Sequence, residues 1–411
     1  MKISRIRALE ILDSRGNPTI KAIIELVGGL QATASVPSGA SRGSNEALEL
    51  RDGDLSRYHG QGVQKAISHI SVEIQDVLKG MEVTAQNKID QAMIDLDGTR
   101  DKSKLGANAI LAVSLACARV ASLVREVPLW SHLAALADSR PAFPRIMCNL
   151  INGGAHASWT LDIQEFMVIP KAIRPEQSVQ VASEIFHTMR GLLERQGHIT
   201  TVGDEGGFAP QGIKNEEQAL SIIVEAIRKS GYDRSDVSIG LDCAATEWWK
   251  EKNYQLPHAK VTRTGEELAT WYNKLCKTYP IETIEDPLQE NDFEGTAKLQ
   301  RAMPKILTIG DDLYTTNVRR LKTGIANKST NGILIKPNQI GTLTETLQAI
   351  TLARSVGMKV VISHRSGETE DSFIADLAYG VGADYLKAGS LSRSERLVKY
   401  NRLLEIAMLE S

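Results

Sequence analysis

The first third of the chain shows two successive patterns of hydrophobic and polar positions. Three stretches rich in Ile and Val are separated by clusters of Gly, Asn and Pro, which predicts strands over 3–12, 19–27 and 31–36. Three segments with Val, Ile, Leu and Ala at helical spacing follow, over 62–78, 85–96 and 107–125. Because a sheet with one apolar face needs helices to cover it, we predict an α+β domain over residues 1–135.

Strand-like and helix-like segments alternate over residues 141–411. The predicted strands are the apolar runs IMCNLI, IQEFMVIP, SIGLD, IETIED, ILTIGDD, GILIK, MKVVIS and YLKAG. Helical spacing lies between them, for instance over 175–196, 216–229, 265–278 and 341–355. This alternation predicts an α/β fold, a (β/α)8-type barrel of parallel strands. Its first units are irregular, because a loop without a helix joins IMCNLI to IQEFMVIP. The Pro-containing stretch 136–144 separates the two domains.

Four successive strands of the predicted barrel end on a charged residue. These residues are Asp242, Glu285, Asp311 and Lys336, and they lie 43, 26 and 25 residues apart. A strand–helix unit of a barrel takes about 30 residues, so we expect all four at the mouth where barrel enzymes do their chemistry. Three carboxylates would bind a hard divalent cation, and a lysine beside it would lose its proton more easily. Such a pair can remove a proton from the carbon next to a carboxylate.

Each of these residues also has a plainer interpretation. An acidic residue after a strand is often the N-cap of the next helix, and a lysine there often holds its ammonium group in water. The order of three acidic residues followed by a lysine favours a site.

Later strand ends carry groups suited to an anion. His364, Arg365 and Ser366 follow one strand and Lys387 ends the last. An Arg–Ser pair at a barrel mouth suits a phosphate, because guanidinium is a forked donor. The alternative is a surface salt bridge from Arg365 to Glu368 or Asp371.

Three loops add further candidates. Glu205 lies among glycines in VGDEGGFAP. It is either a general acid or base or part of a flexible acidic turn. Gln164 and Glu165 end another strand. The segments VPSGASRGSNEALELRD and NGGAHASWT, the latter with His156, are either lids over a polyanionic ligand or ordinary mobile loops.

Composition narrows the function classes. The 411-residue chain has a net charge of −2, so nothing suggests nucleic acid as a partner. Its four scattered cysteines suit reduced thiols of a cytoplasmic protein. The N-terminus lacks an apolar signal region, and the apolar run 107–124, interrupted by Arg119, predicts a buried helix and no membrane span.

Many longer segments resemble the enolase family. They are DSRGNPT (13–19), VPSGAS (36–41), EALELRDGD (46–54), KLGANAILAVSLA (104–116), NLINGG (149–154), QEFM (164–167), GDEGGFAP (203–210), GLDCAA (240–245), IEDP (284–287), GDDLYTTN (310–317), IKPNQIGTLTET (335–346), SHRSGETEDSFIADL (363–377) and RSERLVKYN (393–401). The resemblance implies a small α+β domain before a barrel. It also implies the reversible dehydration of 2-phosphoglycerate to phosphoenolpyruvate in glycolysis, with two Mg²⁺ ions per site.

The resemblance also implies roles for particular residues. The first metal is held by Asp242, Glu285 and Asp311, of which the last two also border the substrate, and Ser41 helps to hold the second. Lys336 is the base that removes the carbon-bound proton. Glu205 helps the hydroxide to leave, with Glu165, and His364 lies near that hydroxyl. The substrate is contacted by His156, Gln164, Glu165, Arg365, Ser366 and Lys387. Enolases are homodimers or octamers in the cytoplasm, and some also occur at the cell surface.

The chain departs from the family pattern in three loops. Arg42 and Trp159 replace smaller residues in the two lid segments, and KAGSLSRSER replaces the commoner KTGAPxRSER. None of these changes removes a catalytic group. Two alternatives remain: a relative acting on another acid, and a binding protein that has lost turnover.

Overall fold

The N-terminal domain is a three-stranded sheet covered by helices. A computed structural model describes residues 1–39, 43–172 and 174–410. Strands β1 (Ile3–Leu12), β2 (Pro18–Leu26) and β3 (Gln31–Ser35) form an antiparallel sheet in that order, as predicted. The helices are α1 (Gln64–His69), a π-helical turn (Ile70–Ile74), α2 (Gln75–Leu78), α3 (Gln86–Asp97), α4 (Ala107–Val124) and α5 (Leu129–Ala137). Of these, α5 was not predicted.

Helix α4 forms the centre of this domain. It packs on β2 and β3, and its many alanines allow the helix to approach the sheet closely. Among the described residues, this helix alone is long and apolar enough to cross a membrane, and 83% of it is buried inside the protein. Such burial is typical of a core helix, as predicted from the sequence.

The second domain is a closed eight-stranded barrel. Its strands, in barrel order, are β10 (Ile281–Glu285), β11 (Leu307–Gly310), β12 (Gly332–Ile335), β13 (Lys359–Ser363), β14 (Tyr385–Lys387), β4 (Arg145–Asn152), β5 (Glu165–Pro170) and β6 (Val237–Asp242). The helices are α6 (Pro175–Arg195), α7 (Glu216–Lys229), α8 (Gly265–Thr278), α9 (Phe293–Ala302), α10 (Val318–Asn327), α11 (Pro337–Ile340), α12 (Leu343–Ser355), α13 (Phe373–Gly380) and α14 (Ser394–Leu409). All eight predicted strands are present.

One strand runs against the others, which corrects the prediction of parallel strands throughout. β5 is antiparallel to both β4 and β6. A parallel neighbour needs a crossover, usually a helix, whereas the loop from β4 to β5 simply turns the chain back. A small sheet of β7 (Trp249–Lys250), β8 (Asn253–Leu256) and β9 (Val261–Arg263) follows β6 and was not predicted.

The register of the barrel brings charged strand ends to one mouth. Asp242 is paired with Glu285 on one side and with Glu165 on the other. Ser363 is paired with Lys387. The N-terminal domain meets this mouth through a two-way backbone pairing of Ser38 with Gly367.

Candidate active site

A polar cavity of about 40 Å³ lies at this mouth. Its walls include eleven of the predicted site residues: His156, Gln164, Glu165, Glu205, Asp242, Asp311, Lys336, His364, Arg365, Ser366 and Lys387. Glu285 is buried beside them, in contact with Lys387. The predicted Ser41, like Arg42, lies outside the described residues.

A larger open cleft lies elsewhere, beside the N-terminal sheet. Charged side chains along its walls are already paired with each other, for example Arg119 with Asp371 and Arg402 with Asp376. The smaller cavity at the barrel mouth is the candidate active site, because unlike charges from many separate elements converge there.

Lys387 joins the carboxylates of three strands. Its Nζ lies 2.8 Å from both Asp242 Oδ2 and Glu285 Oε2, and 3.3 Å from Glu165 Oε1. Burial lowers the pKa of this ammonium group, but the surrounding carboxylates raise it well above its usual value. Lys387 is therefore a fixed positive charge at the floor of the cavity.

Lys336 and Gln339 hold Asp311. Lys336 Nζ donates to Asp311 Oδ2, and Gln339 Nε2 donates to Oδ1 over 2.9 Å. Burial lowers the pKa of Lys336, but the charge of Asp311 outweighs it and raises that pKa. The alternative of a lysine head in open water is therefore wrong. A neutral Lys336 requires a further positive charge at Asp311.

The donor set fits a hard divalent cation. Glu285 Oε1 is buried and has no hydrogen-bond partner in the described parts of the chain. Burial and the charge of Asp242 raise the pKa of Glu285 well above its usual value, which indicates excess negative charge there. Carboxylate oxygens under such repulsion are the ligands that Mg²⁺ prefers.

The aspartates that follow β10 and β11 form a tighter group than the predicted ligands. Ligand atoms of Asp286, Asp311 and Asp312 lie within 4.8 Å of one another. Asp286 accepts hydrogen bonds from the backbone N–H groups of Asp311 (2.9 Å) and Asp312 (2.7 Å). Asp286 therefore orients the turn that carries Asp311. It lies in the segment IEDP but was not predicted as a site residue.

Arg365 pairs with a residue of the N-terminal domain. Its Nη1 lies 2.9 Å from Glu46 Oε2, and Nη1 also donates to Asn338 Oδ1 over 3.0 Å. The alternative partners are wrong: Glu368 binds Lys399, and Asp371 binds Arg119. Glu46 lies in the quoted segment EALELRD, but its sequence context gave no sign of this partner.

Two glutamates of the cavity share an environment that separates their pKa values. Ligand atoms of Glu165, Glu205 and His156 lie within 4.8 Å of one another. Burial and the charge of Glu205 raise the pKa of Glu165 well above its usual value. Burial also acts on Glu205, but the groups facing it, first of all His156, lower its pKa well below the usual value. The two carboxyl groups are therefore shifted in opposite directions, and Glu205 is buried rather than part of an exposed turn.

A short 3₁₀ turn, Gly154–Ala157, carries His156 into the cavity. Gly153 before it allows no side chain, because a Cβ would lie 2.2 Å from the carbonyl oxygen of Ile163. Ser158 and Trp159 after it have φ of 51° and 60°, a left-handed conformation that costs a non-glycine residue about 1–2 kcal/mol. Gln164 Nε2 at the end of this loop lies 3.5 Å from Asp242 Oδ2.

Comparison with known protein families covers both domains. Residues 3–133 match the enolase N-terminal domain, and residues 141–409 match the enolase C-terminal TIM barrel domain. These matches agree with the sheet-and-helix domain and with the closed barrel. The chain belongs to the enolase family.

Proposed function

We propose that the chain is a Mg²⁺-dependent phosphopyruvate hydratase that interconverts 2-phosphoglycerate and phosphoenolpyruvate in glycolysis. One observation carries this proposal: a lysine amine, a pair of buried glutamates and an arginine all face one cavity. Dehydration needs these three devices, to take a proton from carbon, to protonate the departing hydroxide and to hold the phosphate.

The proton balance assigns each residue a task. Neutral Lys336 takes the proton from C2 and becomes an ammonium ion. The Glu165–Glu205 pair gives its single proton to the departing hydroxyl, which leaves as water. In the reverse direction the same groups exchange their tasks, and the pair takes a proton from water.

Binding residues hold the two negative ends of the substrate. Arg365 and Ser366 bind the phosphate, and the charge of Lys387 faces the substrate carboxylate. His156 and Gln164 complete the contacts from the 153–164 loop.

Asp242, Glu285 and Asp311 would hold a first Mg²⁺, and Ser41 would help to hold a second. When bound, these ions supply fixed positive charge where negative charge increases on the substrate carboxylate, and this is worth several kcal/mol.

The decisive experiment is turnover of 2-phosphoglycerate in Mg²⁺-titrated protein, followed by enol absorbance and by loss of the C2 proton to D₂O. We expect both signals, and we expect both to vanish in Lys336→Met but not in Lys322→Met, an exposed control on α10. No product at any Mg²⁺ concentration contradicts the proposal. Proton exchange retained in Lys336→Met would place the base elsewhere.

The same assay separates the alternatives. A relative acting on another acid would exchange the α-proton of a different carboxylic acid, and a binding protein would exchange none.

We also propose a cytoplasmic location and a homodimer or octamer. The location is supported by four free cysteines, of which Cys117, Cys148 and Cys243 are buried. Cell fractionation and light scattering test these two points.

A further inference from the structure

Arg396, in the first turn of α14, lies directly behind the cavity wall. Its side chain is fully buried. Nη1 donates to the carbonyl oxygen of Arg365 over 2.6 Å, and Nη2 donates to that of Ser366 over 2.6 Å and that of Asp204 over 3.0 Å. One guanidinium thus holds together the loop after β13 and the glycine-rich loop of Glu205.

Arg396 also contacts a ring nitrogen of a site residue. Its Nη1 lies 2.6 Å from Nδ1 of His364. A guanidinium has five N–H donors, no acceptor, and does not lose its proton in proteins. Nδ1 of His364 must therefore accept this hydrogen bond. The ring proton then lies on Nε2, whereas a ring protonated at both nitrogens would set one N–H against another at 2.6 Å.

The other ring nitrogen faces the reacting groups. His364 Nε2 lies 3.9 Å from Glu205 Oε2, and His364 lines the cavity. The backbone N–H of His364 donates to the carbonyl oxygen of Lys387 over 2.9 Å, which fixes the residue at the end of β13. The ring is thereby held through Nδ1 and through the backbone of His364, with Nε2 on the side of the cavity that contains Glu205.

We propose that Arg396 is a positioning residue that fixes the proton of His364 on Nε2, so that His364 is a permanent hydrogen-bond donor to the departing hydroxyl and not its acid. The tautomer stands on geometry alone, and its use in catalysis rests on the proposed function. The proton consumed by the hydroxide comes from the Glu165–Glu205 pair, and His364 keeps its own.

The charges around His364 support a neutral ring. Burial lowers the pKa of His364 well below its usual value. Glu205, from the 203–210 loop, opposes this effect, whereas Arg396 of α14, Lys387 of β14 and Lys336 after β12 add to it. Arg396 is the only one of these groups that lies in hydrogen-bond contact with the ring among the described residues.

The direct test is ¹⁵N NMR of histidine-labelled wild-type protein. The chain has eight histidines, and the His364 signals are those that disappear in His364→Gln. We expect a neutral ring with the proton on Nε2 from pH 8 down to pH 6. A proton on Nδ1, or a doubly protonated ring in this range, overturns the proposal. Neither outcome depends on turnover, so failure of the proposed function leaves this test intact.

A second test replaces the arginine. Arg396→Gln keeps an N–H donor at the ring but removes the charge, and Arg402→Gln, outside the cavity on the same helix, is the matched control. We expect the His364 titration in Arg396→Gln to move up by about one unit, a tenfold change in its protonation equilibrium. Turnover at pH 6 relative to pH 8 should fall by at most about twofold, because a ring that is neutral at pH 6 in the wild type becomes at most half protonated there. A loss of structure alone would lower turnover equally at both values, and an unchanged titration contradicts the proposal. If Arg396→Gln does not fold, the ¹⁵N NMR measurement of the wild-type tautomer decides between the proposal and its rejection.

A third test asks whether His364 acts as a hydrogen-bond donor or as an acid. Gln at position 364 offers an N–H near the place of Nε2 but no exchangeable acid proton. We expect His364→Gln to keep at least tenfold more turnover than His364→Leu, with unchanged pH dependence. Equal loss in both variants means that His364 gives up its proton, which contradicts the proposal.

Discussion

The guanidinium of Arg365 and the carboxylate of Glu46 form a two-point ion pair between the two domains, with Nη1–Oε2 at 2.9 Å and Nη2–Oε1 at 3.1 Å. Both side chains are at most 8% exposed. A carboxylate therefore occupies the arginine fork that we assign to the substrate phosphate, and phosphate binding must displace or share it.

The first prediction concerns this pair. Glu46→Gln leaves a buried guanidinium without its carboxylate, which costs about 3–5 kcal/mol and lowers the melting temperature. Inorganic phosphate should restore part of this loss, so its stabilising effect should be larger in Glu46→Gln than in wild type. Calorimetric melting with and without phosphate measures the difference.

The matched control is Glu345→Gln, which breaks a second interdomain ion pair, with Lys102, outside the cavity. It should lower stability without changing the effect of phosphate. Equal phosphate effects in Glu46→Gln and wild type would show that Glu46 does not compete for the arginine.

The second prediction concerns metal. Addition of Mg²⁺ to chelator-treated protein should raise the melting temperature, because a ligand at 100 times its Kd stabilises by about 2.7 kcal/mol. Asp242→Asn and Glu285→Gln should remove most of this rise. Asp376→Asn changes a buried acid that pairs with Arg402 outside the cavity, and should leave the rise intact. A full rise in Asp242→Asn would remove that residue from the ligand set.

The strand-end residues of the site could be predicted from sequence because a barrel repeats one unit. Asp242, Glu285 and Lys336 each end or follow an apolar run, so the period of the chain places them at one mouth. The antiparallel direction of β5 could also have been predicted, because no α-helix lies between β4 and β5 to serve as a crossover.

Contacts between distant segments could not be predicted in this way. Glu46 and Arg365 are 319 residues apart, and their pairing depends on how the domains dock. The proposed division of one proton between Glu165 and Glu205 depends on burial and on facing charges, which no local pattern records. The contact of Arg396 with His364 belongs to the same class.

The third prediction concerns that proton. The pKa of Glu165 in the folded protein is raised above its usual value of 4.5, so folding at pH values above 4.5 takes up a proton. The free-energy cost of this uptake grows as pH rises. Glu165→Gln resembles the protonated acid and removes the cost. In chelator, the variant should melt higher than wild type at pH 7, and the gap should close as pH falls toward 4.5.

Glu205→Gln is the contrasting variant. It removes an ionised group that faces His156 and Arg396, so it should melt lower than wild type at pH 7. If Glu165→Gln is the less stable of the two, the ion pair of Glu165 with Lys387 outweighs its burial, and the proton lies on Glu205.

The fourth prediction concerns a histidine far from the cavity. His132 on α5 is 1% exposed, and neither ring nitrogen has a hydrogen-bond partner in the described part of the chain. Burial lowers its pKa to about 4. The unfolded chain binds a proton near the ordinary value of 6.5 while the folded protein does not, so stability falls as pH drops from about 6.5 to 4. The loss of folding stability reaches about 3 kcal/mol.

His132→Met should remove that part of the acid sensitivity, whereas His187→Met, at an exposed position of α6, should keep it. Melting temperatures from pH 8 to pH 5 measure the effect, and parallel curves for His132→Met and wild type would show that the ring is charged in the fold.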